Sequence, residues 1–275
     1  MNDITLVTAF FDIGRENWGS PIFRRPNDNY FRAFSRLASY DYPMIIYADT
    51  RHADRIKEII NLNANHKNLK KIVLISEEWL KANFYPWSRL ELETKIMSSE
   101  YYKNLIPNRV AMQYPENVNP RYTILTHSKI DFLCHASEAM LASHDNLLWV
   151  DFGYLSDTAV ANGMMPKSKL SSSSLVPDRV NLCSLNNPLN EQDFDPIHTL
   201  QNAPEKLTAG VFGGDIKSLL KFRTLSHQAL DEMQERNLAD DEQALWISCI
   251  KKASDLFAIH MFPGWHCGLQ HFSKD

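Results

Sequence analysis

Glycine is scarce in this chain, nine residues in 275, and the glycine fingerprints that cradle phosphate in dinucleotide-binding and P-loop proteins are both missing. That excludes the two nucleotide sites most easily read from sequence. The four cysteines, Cys134, Cys183, Cys249 and Cys267, are widely scattered, without any Cys-x-x-Cys spacing. A zinc ribbon or disulfide framework is thereby excluded, and apolar neighbours mark most of them as reduced core residues. No apolar run approaches a membrane span, and the stretch from Met1 to Val7 has neither a charged leader nor a cleavage site. A cytoplasmic chain is expected, with peripheral attachment at the inner membrane left open. Excess charge is lacking too: a formal net charge of -4 and a pI near 6.2 give no general electrostatic reason to bind nucleic acid. What is present is a 44% hydrophobic composition, enough for a substantial core in one large α/β domain or two small ones.

The most informative stretch is Leu147-Leu148-Trp149-Val150-Asp151-Phe152-Gly153-Tyr154. An apolar run of strand length that stops at a carboxylate reads as a central, doubly buried strand delivering Asp151 to the sheet edge where open α/β sheets bind ligands. The competing reading is a turn capped by Asp151, since Asp and Gly favour turns. Ile4 to Phe11 reads as a first strand ending at Asp12-Ile13-Gly14, with a polar stretch to Pro26 at the sheet edge. Asn27 or Asp28 can cap a helix carrying Phe31, Phe34, Leu37 and Ala38. A second strand, Met44 to Tyr47, runs on to Asp49; a short helix with Ile56, Ile59 and Ile60 precedes a third strand, Ile72 to Ile75. Strands alternating with helices predict a mainly parallel sheet with helices on both faces.

From Glu77 to Asn104 the pattern is helical with a break at Pro86, and Pro107 to Pro120 reads as an irregular connection. Tyr122 to His144 predicts one long helix with the stripe Leu125, Phe132, Leu133, Ala136 and Met140. Lys129 lies on that stripe; either its ammonium snorkels past the core to water or it ends near Asp151 facing an anion. Residues 155–205, with Ser171 to Ser174, have little periodicity beyond Val180 to Cys183 and read as the wall of a substrate site or as a surface excursion. Leu207 to Asp215 predicts a strand entering a glycine-rich turn at Gly210, Gly213 and Gly214. Asp240 and Gln243 fit a capping box, while Glu242 shares a helix face with Leu245, Trp246 and Cys249 and is a candidate base or binding group. Phe257 to Phe262 is a last strand, and His260, His266 and His271 crowd the carboxyl end as weak metal candidates or structural histidines.

The ordered set Thr8-Ala9-Phe10-Phe11-Asp12, Lys129, Trp149 to Gly153, Ala209 to Gly214, Asp241-Glu242-Gln243 and Trp265-His266 resembles a GT-A-fold nucleotide-sugar glycosyltransferase. More closely it is similar to the bacterial HtrL/YibB type, associated with surface-polysaccharide gene clusters, over almost its whole length. The resemblance implies a single GT-A-like domain over 1–275, with a nucleotide-binding half at 1–154 and an acceptor-side half at 155–275. It implies a nucleotide-sugar donor, a UDP-sugar above others, and a glycan or lipid-linked acceptor. Thr8, Ala9 and Phe10 would line the nucleoside pocket, with Asp49 near its uracil or ribose. Asp151 would be the first acid of the metal-binding Asp-x-Asp element, whose third position is here Gly153, so that a divalent cation, Mn2+ or Mg2+, would borrow His266 and donor oxygens. Lys129 would offset diphosphate charge, Gly213 and Gly214 would border the sugar, and Asp241 or Glu242 would face the acceptor hydroxyl. Two other classes stay open: a metal-dependent phosphoesterase using Asp49, Asp151 and the terminal histidines, and a non-catalytic sugar-nucleotide or polysaccharide-binding protein.

Overall fold

The computed structural model describes residues 3–18, 23–63, 68–107 and 111–275. Parts of two predicted stretches, 19–22 in the polar run before Pro26 and 108–110 in the connection before Pro120, lie outside the described residues, as do Met1 and Asn2. Nine strands occur among the described residues: β1 Ile4–Phe10, β2 Met44–Ala48, β3 Lys70–Leu74, β4 Asn146–Val150, β5 Lys169–Leu170, β6 Val180–Leu185, β7 Leu207–Asp215, β8 Phe257–Phe262 and β9 Ser273–Lys274. Seven form one sheet in the order β3-β2-β1-β4-β7-β6-β8; β5 and β9 make a small antiparallel pair. Pairing is parallel from β3 through β4 and again between β6 and β8, whereas β7 runs antiparallel to both its neighbours.

Alternation along the central strands explains the two-faced packing, because successive side chains point to opposite sides of a sheet. Val7, Ile45, Tyr47, Leu147 and Trp149 join one core with the helices between residues 77 and 138 and those of 216–252. Ile4, Leu6, Met44, Ile46, Leu148 and Val150 join a second core with helices Asn27–Ala38 and Ala53–Leu62. The expected α/β architecture, a mainly parallel sheet covered on both faces, is therefore what the chain adopts. No helix among the described residues is long and apolar enough to cross a membrane.

Three local expectations are corrected. The long helix expected from Tyr122 to His144 is two helices, Pro120–His127 and Lys129–Glu138, separated at Ser128, whose hydroxyl donates to the Ile124 carbonyl at 2.7 Å. The glycine-rich turn is strand: β7 runs unbroken to Asp215, which caps the following helix Ile216–Glu235 by accepting from the Ser218 amide. Asp240 and Gln243 form no capping box; Asp241 is the cap of helix Glu242–Lys252, and the Gln243 side chain instead accepts from the backbone amides of Lys206 and Leu207.

Candidate functional site

The strand order has one topological switch point that matters here. From β1 the chain moves outward to β2 and β3 on one side, then returns to place β4 on the other side of β1. Open α/β sheets leave a crevice outside the carboxyl ends of their strands where the order reverses, which here lies between the ends of β1 and β4. Phe11 and Asp12 follow β1 on one side of it; Asp151, Phe152 and Gly153 follow β4 on the other.

Asp151 is held from several directions. Its backbone amide donates to the Gly210 carbonyl at 2.9 Å, extending the antiparallel β4–β7 pairing by one residue. Its Oδ1 accepts the Trp149 indole N–H at 2.7 Å and lies 3.0 Å from the Lys129 ammonium. Two residues earlier on the same strand face, Trp149 is the neighbour whose indole can reach that carboxylate. Gly210 sits against it: a Cβ at that position would lie 3.0 Å from the Tyr154 ring and 3.7 Å from Asp151 Oδ2.

Lys129 is the centre of the cluster. Its Nζ donates to Glu242 Oε1 at 2.6 Å and to the Ala209 carbonyl at 3.1 Å, besides its contact with Asp151. Three oxygens thus take up the three protons of the ammonium. Lys129 is buried rather than snorkelling, with 6% of the residue exposed, and Glu242 is buried to the same extent. Burial opposes the charge on Lys129, but Asp151 and Glu242 together outweigh it and hold the ammonium above its ordinary value. Burial likewise opposes ionisation of Glu242, and Lys129 reverses that, drawing the carboxyl below its usual range. The directions agree on an ionised pair. The second carboxylate oxygen of Glu242 is buried and makes no hydrogen bond.

Further acids gather around Glu242. Burial, then the neighbouring carboxylates Glu242, Asp240 and Glu116, raises Asp241 well above the ordinary carboxylate range. Burial, then the carboxylates Glu116, Glu242 and Glu93, push Asp240 up to about 7. His127 pairs its Nε2 with the Asp240 carbonyl at 2.9 Å, and burial keeps the imidazole neutral, leaving Nδ1 buried without a partner. Arg15 stands over the rings of Trp18 and Tyr122, at 5.0 and 5.5 Å, and donates to the Tyr30 hydroxyl at 2.9 Å. Among the described residues it forms no ion pair.

The other expected site residues fall at varied distances from this cluster. Asp49 ends β2, two strands away, and its carboxylate caps the turn that follows while pairing with Arg51 at 2.8 Å. Thr8 is wholly buried within β1 and lines no open wall; Ala9 is partly exposed; Phe10 packs into a ring cluster with Tyr30, Phe31, His52 and Phe152. Gly213 and Gly214 pair with Leu148 and Leu147, toward the opposite end of β4 from Asp151. Their lack of a side chain serves close strand approach, since a Cβ would lie 2.0 Å from the Leu147 carbonyl oxygen at Gly213 and 2.4 Å from that of Arg179 at Gly214. His266 engages Ser156 at 3.4 Å and packs edge-on against Tyr154. His260 pairs with Asn181 and packs against His271, on the outer strand of the sheet.

The divalent cation that the glycosyltransferase resemblance implies does not fit these residues. One oxygen of Asp151 is already engaged by an ammonium and an indole. At position 153, where a second acid would stand, a Cβ would come within 2.8 Å of the Tyr30 ring, so the backbone there excludes any side chain without movement. No group of three His, Cys, Asp or Glu that could hold a metal exists among the described residues.

Fold and site together define an open α/β protein whose switch-point crevice is built on a carboxylate, ammonium, carboxylate array with a buried Lys129 and Glu242 and a half-exposed Asp151. The chain belongs to the HtrL/YibB family, described as bacterial proteins of unknown function, whose model matches residues 2–273. It is 26% identical over 264 residues to Protein HtrL of Escherichia coli K12, covering 93% of this chain and 87% of that protein.

Sequence reasoning missed Trp149 as the second donor to Asp151, although the two-residue spacing carried that signal. It also missed Arg15 and Tyr30, which lie in a polar stretch without periodicity.

Proposed function

We propose that the protein is a glycosyltransferase, moving a sugar from a nucleotide-sugar donor, in the first instance a UDP-sugar, to a glycan or lipid-linked acceptor of bacterial surface polysaccharide. The observation that carries this reading is the position of Asp151 at the end of β4, beside β1 at the switch point, with its second oxygen left by Lys129 and Trp149 for a ligand. In such a crevice the nucleoside end lies over Ala9 and Phe10 toward Asp49, and Asp151 accepts hydroxyls of the ribose or of the transferred sugar.

In the inverting form of the reaction, the anomeric carbon to diphosphate bond breaks, a bond to the acceptor oxygen forms, and the acceptor proton passes to a carboxylate. Asp241 suits that last task better than Glu242. Burial and the carboxylates around it raise its proton affinity, it is less deeply buried, and only one of its oxygens is committed to capping. Glu242, ionised and locked to Lys129, positions the array. Charge on the departing diphosphate meets Arg15, which forms no ion pair among the described residues and is held by Tyr30 and Tyr122. The acceptor is presented from the 155–275 side, where the Trp265-His266 turn packs against Tyr154.

The test is a panel of UDP-, GDP- and CMP-sugars examined by calorimetry and by release of the nucleoside diphosphate or monophosphate. Preference for one sugar nucleotide over inorganic diphosphate, with turnover that Asp241→Asn abolishes, is the expected outcome. Binding without release in any acceptor mixture would favour a non-catalytic sugar-nucleotide binder, and indifference to the sugar nucleotides would end the proposal.

A further inference from the structure

We infer that Lys129 is a tethered cation: its ammonium fills the seat between Asp151, Glu242 and the Ala209 carbonyl that a metal ion would otherwise take, and the site works without a resident metal. The three atoms around Nζ are Glu242 Oε1 at 2.6 Å, Asp151 Oδ1 at 3.0 Å and the Ala209 oxygen at 3.1 Å. Two carboxylates and one backbone carbonyl form a hard oxygen set, the kind that Mg2+, Mn2+ and Ca2+ select. Here the set converges on a side chain.

Local structure gives an independent reason to regard this as a site rather than a chance ion pair. Lys129 is the first residue of helix Lys129–Glu138. A cation at a helix N-terminus faces the positive end of the macrodipole and the unpaired amides there, an unfavourable place for a lysine. Burial adds a second penalty, because taking an ammonium out of water is costly unless its charge is matched. Both costs are offset chiefly by the two carboxylates, which come from the end of β4 and the start of helix Glu242–Lys252, 22 and 113 residues along the chain. The break at Ser128 makes the arrangement possible by ending one helix and starting the next at Lys129.

The same geometry turns a metal away. A divalent ion on the remaining oxygen of Asp151 would sit beside the ammonium and be repelled by it. The second acid that could draw it outward is missing at Gly153, where the Tyr30 ring closes the space above the backbone. With two carboxylates and one ammonium the array keeps a net negative charge without any metal.

This inference does not depend on the donor proposed above, since it is read from metal binding and not from turnover. Chelator-treated wild-type protein, Lys129→Ala and Asp151→Asn are titrated with MnCl2, with and without uridine diphosphate, and bound Mn2+ is followed by loss of the hexaaqua EPR signal. Wild type is expected to bind no Mn2+ that Asp151→Asn removes, at concentrations up to the order of 10⁻³ M, the weak end of the range for carboxylate sites. Lys129→Ala is expected to gain one Mn2+ site at least roughly tenfold tighter than any in wild type, with a rise in Tm on adding metal. Lys129→Ala/Asp151→Asn should lose both gains. Wild type that binds Mn2+ through Asp151, alone or with uridine diphosphate, would overturn the inference, as would folded Lys129→Ala without a new site. Should Lys129→Ala fail to fold, wild type against Asp151→Asn still decides, because the inference requires their Mn2+ binding to be the same.

Discussion

Replacing Lys129 by Met separates the charge of this lysine from its bulk, and the structure sets both the size and the pH dependence of the outcome. The substitution keeps an unbranched apolar stem where 6% of the residue is exposed, so packing changes little. What it removes is the counter-charge of Glu242, a buried carboxylate with one oxygen bonded at 2.6 Å to the ammonium and the other bonded to nothing. Breaking a buried ion pair on one side typically costs about 3–5 kcal/mol, mainly from the charge left behind. Asp241 and Glu116 stand close and repel that charge further. Glu242 escapes by taking up a proton.

That escape makes the penalty depend on pH. In wild type Glu242 has its proton affinity lowered by folding, so its contribution is present above the unfolded carboxyl range and is lost as pH falls through the lower folded value. In Lys129→Met the shift reverses: the folded protein binds the proton more tightly than the unfolded chain, and stability falls as pH rises from the unfolded value, about 4.3, to the new folded one. The loss relative to wild type should therefore approach the full 3–5 kcal/mol at pH 8 and shrink at pH 5. Adding Glu242→Gln, which keeps shape without charge, should recover at least about 2 kcal/mol at pH 8 and leave little pH dependence in the difference. Urea unfolding of wild type, both single variants and the double variant at the two pH values closes the cycle. A loss in Lys129→Met that is the same at pH 5 and pH 8, or a double variant no more stable than Lys129→Met, would refute an ionised Lys129–Glu242 pair.

Two further outcomes follow from other parts of the molecule. Glu93 is wholly buried, bonded through one oxygen to Gln234 Nε2 at 2.8 Å, and burial pushes its carboxyl up to about 7. Such a group favours folding with its proton on, so wild-type stability should fall between the unfolded carboxyl range and about pH 7; Glu93→Gln should remove a slope worth up to about 3 kcal/mol, and equal pH profiles in urea titrations would refute this. Gly213→Ala places a methyl group 2.0 Å from the Leu147 carbonyl oxygen and 2.8 Å from the Leu148 Cα, backbone atoms that move only with the whole β4–β7 pair. A loss of about 3 kcal/mol or more, at or beyond the upper end for overpacking, is expected in thermal unfolding, and a Tm unchanged from wild type would show that the strands can part there.

The residues themselves show why some of this was legible in sequence and some was not. Leu147 to Asp151 betrayed its strand because continuous apolar character with a terminal acid is a local pattern, and the burial of that run on both faces is what the pattern reports. The break at Ser128 had no such mark. A serine flanked by His127 and Lys129 carries no glycine or proline signal, and the hydroxyl that bonds Ile124 is as common inside helices as at their ends. Gly213 and Gly214 were ambiguous in kind, since glycine serves equally where the backbone turns and where two strands come very close. The antiparallel insertion of β7 between β4 and β6 decides for the second, and pairing between strands leaves no periodicity in either.

The deepest gap concerns Gly153 and Lys129, because each taken alone misleads. Gly153 looks like a metal site that has lost an acid, and Lys129 like a stray charge on an apolar helix face. Joined by the 3.0 Å contact between Lys129 and Asp151, they describe one arrangement. With an ammonium already seated against Asp151, a second acid at 153 would have no cation to share. The vacant side-chain space is filled instead by Tyr30, whose hydroxyl in turn accepts a hydrogen bond from Arg15. A site that obtains its positive charge from a lysine and an arginine has no reason to keep the Asp-x-Asp spacing. On the proposed reading, in which Lys129 takes the place of a metal, its absence agrees with the charge balance around Asp151.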